Sequence, residues 1–372
     1  MIASCASPGR RGTPENLPLL NLYATMDQST KTSPDYDVIL IGSGAGALAA
    51  ASTLAQLWGK RVLILEKHWS PGGLLHTFRR GPYHFETGLH YIGGLKKGEM
   101  THTVMDFMTA GQVQWNPLPD DFERFVYPDF TLKAPSDPQA YKARLKAQFP
   151  DEAAAIDQYF QDIQEVLKWM GLNMLYQSAP GLRKLLNKPW KAGQAKALQT
   201  TAAYLEAHFS SPQLRALLAT QWGDYGLPPT QSALVQHAII VNHYLQGASF
   251  PAGGPERIVK AVLDIVTAYG GKCLTQREVT EILVEDGKAV GVKARNLSLA
   301  TPTTETWRAP VVISNIGIYE SYTRLLRQAH RPVLPGASRP ATQDELLAHL
   351  HARYPESWST VMVFVGLKDD PR

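Results

Sequence analysis

The first residues that could do chemistry lie in Gly42-Ser43-Gly44-Ala45-Gly46-Ala47, with Glu66 downstream. Gly42 permits a tight turn out of a strand, and Gly44 has no side chain to keep a pyrophosphate from the backbone. Ala47 takes the third position, where a small residue lets helix and strand pack closely. A helix starting here would offer free N–H groups and a partial positive charge to phosphates. Glu66 is placed to accept hydrogen bonds from an adenosine ribose.

These residues need a frame, and the flanking sequence supplies one. Tyr36-Asp37-Val38-Ile39-Leu40-Ile41 is short, apolar and β-rich, as expected of a strand buried on both faces. Leu48 to Trp58, rich in Ala and Leu, reads as a helix ended by Gly59. Arg61 to Leu65 reads as a second strand leading to Glu66. Strand, glycines, helix, strand and acid in this order mark a dinucleotide site far more specifically than glycines alone.

Past Glu66 the chain reads Lys67-His68-Trp69-Ser70-Pro71-Gly72-Gly73. An acid without an arginine clamp would otherwise fit NAD. The glycine pair resembles the extended fingerprint of FAD-binding flavoproteins related to amine oxidases and phytoene desaturases, as do Ala51, Gly59 and Val62. The resemblance implies FAD as cofactor. It implies a cofactor-binding set of Gly42, Ser43, Gly44, Gly46, Ala47, Glu66, Lys67, Gly72, Gly73, Leu74 and Val279, the last through its backbone at the adenine. No metal site is expected.

Gly72-Gly73-Leu74-Leu75-His76-Thr77-Phe78 and Phe85-Glu86-Thr87-Gly88-Leu89-His90-Tyr91-Ile92-Gly93-Gly94 narrow the resemblance. They are similar to the all-trans-retinol 13,14-reductase (retinol saturase) and carotenoid isomerase branch, as are Gly223 to Pro229 and Phe250 to Gly254. The implied substrate is a hydrophobic polyene, and His90 is the implied catalytic residue, able to carry a proton near neutral pH. The bland alternative makes Gly88, Gly93 and Gly94 turn markers and His90 a packed histidine.

In the middle of the chain, Ile156, Tyr159, Phe160, Ile163, Val166, Leu167 and Met170 recur at helical spacing between Pro150 and Leu175. From Val166 to Leu205 there is no acid, while Lys168, Arg183, Lys184, Lys188, Lys191 and Lys196 alternate with Leu182, Leu185, Leu186 and Trp190. Such a mixture suits a peripheral contact with anionic lipid. A solvated basic face with ordinary core contacts is the other reading.

Pro255 to Tyr269 reads as an amphipathic helix, and Gly270 to Leu274 opens a series of short strands. Asp286-Gly287 between Glu278–Glu285 and Ala289–Ala294 signals a hairpin. Val311 to Asn315 reads as a buried strand ending at the cofactor side, and Thr360 to Leu367 as a last strand. Members of the resembled family continue to a Gly-rich segment absent here, which puts the activity of this chain in doubt more than its fold.

The remaining features set bounds. With 372 residues, 44% hydrophobic and 19% charged, the chain is neither disordered nor collagen-like. Cys5 and Cys273 make no disulfide framework. The net charge of +4 comes with no nucleic-acid motif, so no nucleic-acid partner is expected. No second GxGxxG, HExxH or P-loop occurs. Localisation is expected to be cytoplasmic or peripheral to a membrane, with no membrane-spanning run and no convincing signal peptide. Residues 1–34 read as a tail, with Met26 an alternative start.

The expected fold is α/β: a Rossmann-like FAD-binding domain of the GR2-type, amine oxidase-like, carrying an inserted, largely helical substrate domain. Its segments would be 35–95 and 250–320 for FAD, with 96–249 and 321–372 for substrate. The expected function is an FAD-dependent oxidoreductase acting on C=C bonds of a retinoid or carotenoid. The alternatives are a flavin amine oxidase and a non-catalytic prenyl-lipid carrier like the GDP-dissociation inhibitors.

Overall fold

Three short runs of β-branched and leucine residues, with Lys272–Leu274 at one edge, build the central parallel sheet. The structure, a computed structural model, describes residues 36–354 and 362–367, within the compact unit Asp35–Arg372. The tail over 1–34 and the start at Met26 lie outside the described residues. In spatial order the sheet strands are Lys272–Leu274, Val62–Leu65, Val38–Ile41 and Val311–Ser314. Every residue of Val38–Ile41 and Val62–Leu65 is buried, which explains their continuous apolar character. Register pairs Ile41 with both Leu65 and Ser314, so these strand ends lie side by side.

Helix Ala45–Trp58 crosses between the first two strands and ends at Gly59, whose φ of +60° closes the turn. It packs against helix Glu256–Ala268, whose Ile258, Val259, Val262, Ile265 and Val266 are buried on one face. Helix Met100–Thr109 joins them: Ser52 Oγ donates to the Met108 carbonyl at 2.7 Å. On the other face of the sheet lies the antiparallel trio Arg277–Glu285, Lys288–Asn296 and Thr303–Arg308. Asp286 and Gly287 take φ values of +49° and +74° at its first turn, as the Asp-Gly signal requires. The third strand of the trio went unread in the sequence. Lys272–Leu274 joins the parallel sheet, ahead of the hairpin.

A second core is mostly helical. It gathers Ile156, Tyr159, Ile163 and Val166 of helix Ala153–Ser178 with Tyr204, Leu214, Leu217 and Leu234 from later helices. The apolar stripe therefore faces this core. It also contains Asp162, 2% exposed, which accepts hydrogen bonds from Lys196 Nζ and Tyr204 Oη at 2.7 Å and Gln158 Nε2 at 3.0 Å. Burial pushes its carboxyl up, but the bonds from Lys196, Tyr204 and Gln158 outweigh it and hold the group below the usual range.

One expected element is not formed. The described part of Thr360–Leu367, Met362 to Leu367, is not a strand. Phe364 packs edge-on against Phe78 at 5.0 Å, and Tyr83 Oη donates to the Leu367 carbonyl at 3.0 Å. Side-chain contacts replace a ladder here, because an apolar run supplies no partner strand by itself.

Candidate dinucleotide site

The turn after the first strand forms as its residues demand. Gly42 has φ +86°, and a Cβ there would stand 2.9 Å from Ile316 Cγ2. Gly44 caps helix Ala45–Trp58 without any side-chain cap, and the first helical turn holds no acid. Its orphan N–H groups are thus left to solvent or an anion. Ala47 is buried against the sheet. The Asn315 side chain stands over the turn: its amide lies 3.2 Å from a Cβ built on Gly44 and 2.8 Å from one built on Gly46.

Glu66 closes the turn from beside it. Its Oε2 accepts from Ser43 N at 2.8 Å and Ser43 Oγ at 2.6 Å, and its Oε1 accepts from His68 N at 2.7 Å. Ser43 Oγ in turn accepts from Gly72 N at 2.9 Å. Fully buried Ser43 therefore braces the acid to the glycine pair, and both its N–H and its hydroxyl proton are used on Glu66. Gly73 has φ +58°, and a Cβ there would lie 2.9 Å from Gly44 Cα, so the two glycine turns touch. Leu74, next in line, is 69% exposed.

A cavity of about 690 Å3 opens beside this turn, lined by Gly42, Glu66, Lys67, Val279, Arg277 and Ile316 among others. It brings together four residues singled out in sequence: Gly42, Glu66, Lys67 and Val279. Lys67 Nζ pairs with Glu278 at 2.8 Å; with Arg295 it holds that carboxyl below its usual range.

Three separate motif stretches also meet. Strand Ile92–Gly93 pairs with Ala248–Pro251, through Ile92 to Ser249 and Gly93 to Ala248. Gly93 N donates to His243 Nε2 at 2.9 Å, and a Cβ on Gly93 would fall 1.7 Å from the His243 carbonyl oxygen. Thr87 Oγ1 donates to the Leu74 carbonyl at 3.1 Å, tying the segment before His90 to the glycine pair. The half-exposed His90 ring has its Nε2 3.9 Å from Asp224 Oδ1, on the turn Gly223 to Pro229. Burial pushes the Asp224 carboxyl up, with His90 and His243 pulling the other way. Beside them Tyr91 Oη donates to Glu123 Oε1 at 2.7 Å, and Gln221 Nε2 donates to the same carboxylate. Burial also raises Glu123, against those two bonds.

Sequence reasoning brings the strand end at Asn315 to the cofactor side and singles out the motif around Asp224, but gives neither side chain a place in the site, and it misses Glu123. Glu123 had no signal, because its partner Tyr91 lies on another element. Among the described residues no His, Cys, Asp or Glu cluster could hold a metal ion.

A family described as NAD(P)-binding Rossmann-like domain matches residues 40–108. The all-trans-retinol 13,14-reductase of Macaca fascicularis is 35% identical over 82% of this chain and 50% of that protein. The Danio rerio protein of that name is 33% identical over 91% of this chain and 55% of its own. The chloroplastic prolycopene isomerase 1 of an Oncidium hybrid cultivar is 27% identical over 79% and 50%. The chain thus spans about half the length of the curated relatives it matches. In fold, an oxidoreductase from Methanosarcina mazei superposes with TM-score 0.51 at 20% identity, over 78% of this chain and 61% of that one. Cyclohexylamine oxidase from Brevibacterium oxydans gives 0.50 at 18%, over 79% and 60%. The chain belongs to the all-trans-retinol 13,14-reductase family, with a NAD(P)-binding Rossmann-like domain over residues 40–108.

Proposed function

We propose that the chain binds FAD and belongs to an oxidoreductase acting on C=C bonds of a hydrophobic polyene, a retinoid or a carotenoid. The observation that carries the reading is the brace from Glu66 through Ser43 to Gly72, which joins the ribose acid to the glycine pair beside Gly44. The residues fit the group. Gly42, Gly44 and the N-terminus of helix Ala45–Trp58 would take the pyrophosphate, and Ala47 keeps that helix close to the strand. Glu66 keeps lone pairs for a ribose hydroxyl, since three bonds use three of about four carboxylate sites. Val279 and Lys67 border the adenine end, with Gly72, Gly73 and Leu74 toward the flavin end.

When bound, FAD supplies hydride transfer. The chain's own task is then to hold the polyene and manage a proton. His90 with Asp224 is the pair proposed for that proton, since reducing a C=C bond takes one proton as well as a hydride. Saturation, desaturation and isomerisation remain within this reading, because the chain is similar both to proteins named for retinol reduction and to proteins named for prolycopene isomerisation. The proposed FAD segments are 35–95 and 250–320, with helix Met100–Thr109 packed at the margin of the first.

Denaturing the purified protein and identifying the released cofactor chromatographically tests the central claim. FAD with an absorption band near 450 nm is expected. A nicotinamide dinucleotide alone would overturn it. His90→Ala should lower polyene turnover while flavin stays bound, and normal turnover would remove His90 from the site.

A further inference from the structure

The acid-free stretch of the sequence folds into a helical hairpin with large apolar side chains exposed at its end. Helix Ala153–Ser178 leads through Pro180–Leu182 into helix Arg183–Leu198. The two helices are locked on their inner sides. Tyr176 stacks on Trp190 at 4.6 Å, Trp190 Nε1 donates to Asn173 Oδ1 at 2.9 Å, and Trp169 Nε1 donates to the Trp190 carbonyl at 2.8 Å.

Two of the six cations are already used inside the fold. Lys196 is bound to Asp162 and Glu165. Arg183 Nε donates at 3.0 Å to the Tyr176 carbonyl and Nη2 at 3.3 Å to that of Gln177, capping the preceding helix. Lys184, Lys188 and Lys191 are different. They follow at i, i+4 and i+7, so they form one stripe on the helix. All three are exposed, and no ion pair involves them among the described residues. Leu185, 76% exposed, flanks the stripe, and Met174, Leu175 and Leu182 are exposed at the same end of the hairpin.

A solvated basic face would not need large apolar side chains beside its lysines. A protein-binding patch would be depleted of lysine and built on aromatic, Met or Arg side chains. We infer that this hairpin end docks on the surface of an anionic lipid bilayer, with Lys184, Lys188 and Lys191 at the headgroups and Leu185 dipping below them. The match is one of charge and hydropathy: each lysine near an anionic surface gains electrostatic attraction, and leucines add apolar burial. Among the described residues no helix is long and apolar enough to cross a membrane, so the contact is interfacial. It stands independently of the flavin reading, although a water-insoluble polyene would give it a purpose.

The test is sedimentation of the full chain with phosphatidylcholine vesicles, with and without about 30% phosphatidylserine, and no substrate present. Binding to the anionic vesicles is expected, weakening as salt is raised. The triple variant Lys184→Glu, Lys188→Glu, Lys191→Glu should lose at least about fiftyfold in partitioning. Leu185→Ser should lose about fivefold while leaving the salt dependence in place. Circular dichroism and cofactor content of the variants, both unchanged, keep a folding defect apart from a docking defect. Equal binding to both kinds of vesicle, or no loss in the triple variant, overturns the proposal. So does lysine-dependent binding to a short DNA duplex without binding to vesicles, which would make the stripe a nucleic-acid surface.

Discussion

The turn around Ser43 and the helical pocket around Asp162 are both polar clusters built on a buried side chain, yet they depend on different neighbours. Ser43, Glu66 and Gly72 belong to one β-α-β frame, in which strand register fixes their separation. Asp162, Lys196 and Tyr204 sit on three helices, and only tertiary packing brings them together. The first cluster is rebuilt locally whenever its frame forms. The second exists only if the whole helical assembly closes. Substitutions should therefore be costly in the second region and milder in the first.

The largest effect is expected where helix Leu234–Tyr244 meets strand Ile92–Gly93. Gly93→Ala would press a Cβ to 1.7 Å from the His243 carbonyl, a backbone atom that cannot swing aside. We expect a loss of roughly 3 kcal/mol or more in urea unfolding. A change under half of that would show that the Leu234–Tyr244 helix is free to shift.

Asp162→Ala comes next. It strands the buried Tyr204 hydroxyl and leaves Lys196, 38% exposed, paired with Glu165 alone, so the penalty is smaller than for a fully buried pair. About 2 to 3 kcal/mol should disappear, measured in the same way. Asp162→Asn should recover part of it. Equal stability of the Ala variant and the parent would break the contrast.

The third prediction concerns pH. His237 is buried, with Nε2 2.7 Å from Tyr159 Oη, and burial lowers its pKa from 6.5 to about 4. The unfolded chain takes up a proton near pH 6.5 that the folded chain refuses until near 4. The stability is complete above pH 6.5 and falls as pH drops toward 4, by about 2 kcal/mol at pH 5. Unfolding titrations at pH 7, 6 and 5 should show this slope, and His237→Gln should flatten it.

The mildest effect belongs to the turn. Glu66→Ala leaves Gly42, Gly44 and the sheet in place, so FAD affinity should fall about tenfold, while the buried Ser43 N–H and hydroxyl that lose their acceptor should cost about 1 to 2 kcal/mol in unfolding. Unchanged affinity would mean that Glu66 serves the turn alone.

The same contrast governs what could be read from the sequence. Val38–Ile41, Val62–Leu65 and the Asp286-Gly287 hairpin were legible because apolar runs and turn residues act over a few positions. The stripe from Ile156 to Val166 was legible too, but Asp162 inside it was not, since its partners Lys196 and Tyr204 come from distant helices. Lys196 looked like part of a free basic run for the same reason. The meeting of His90 with Asp224 followed from no spacing rule. It depends on strand Ile92–Gly93 pairing with Ala248–Pro251 and on the fold of the turn between.

The Ser43 brace also bears on how quickly a ligand could arrive. Its three hydrogen bonds hold the turn in place without any ligand contact, so folding has already met the entropy cost of ordering it. Association should then need no slow rearrangement at the Gly42 to Ala47 turn, and its on-rate should lie in the range of preformed sites. The amide protons of Ser43 and Gly72, held in these bonds, should exchange slowly with solvent in the free protein. Adding the dinucleotide should slow them little further, with new protection confined to the uncapped N–H groups at the start of helix Ala45–Trp58.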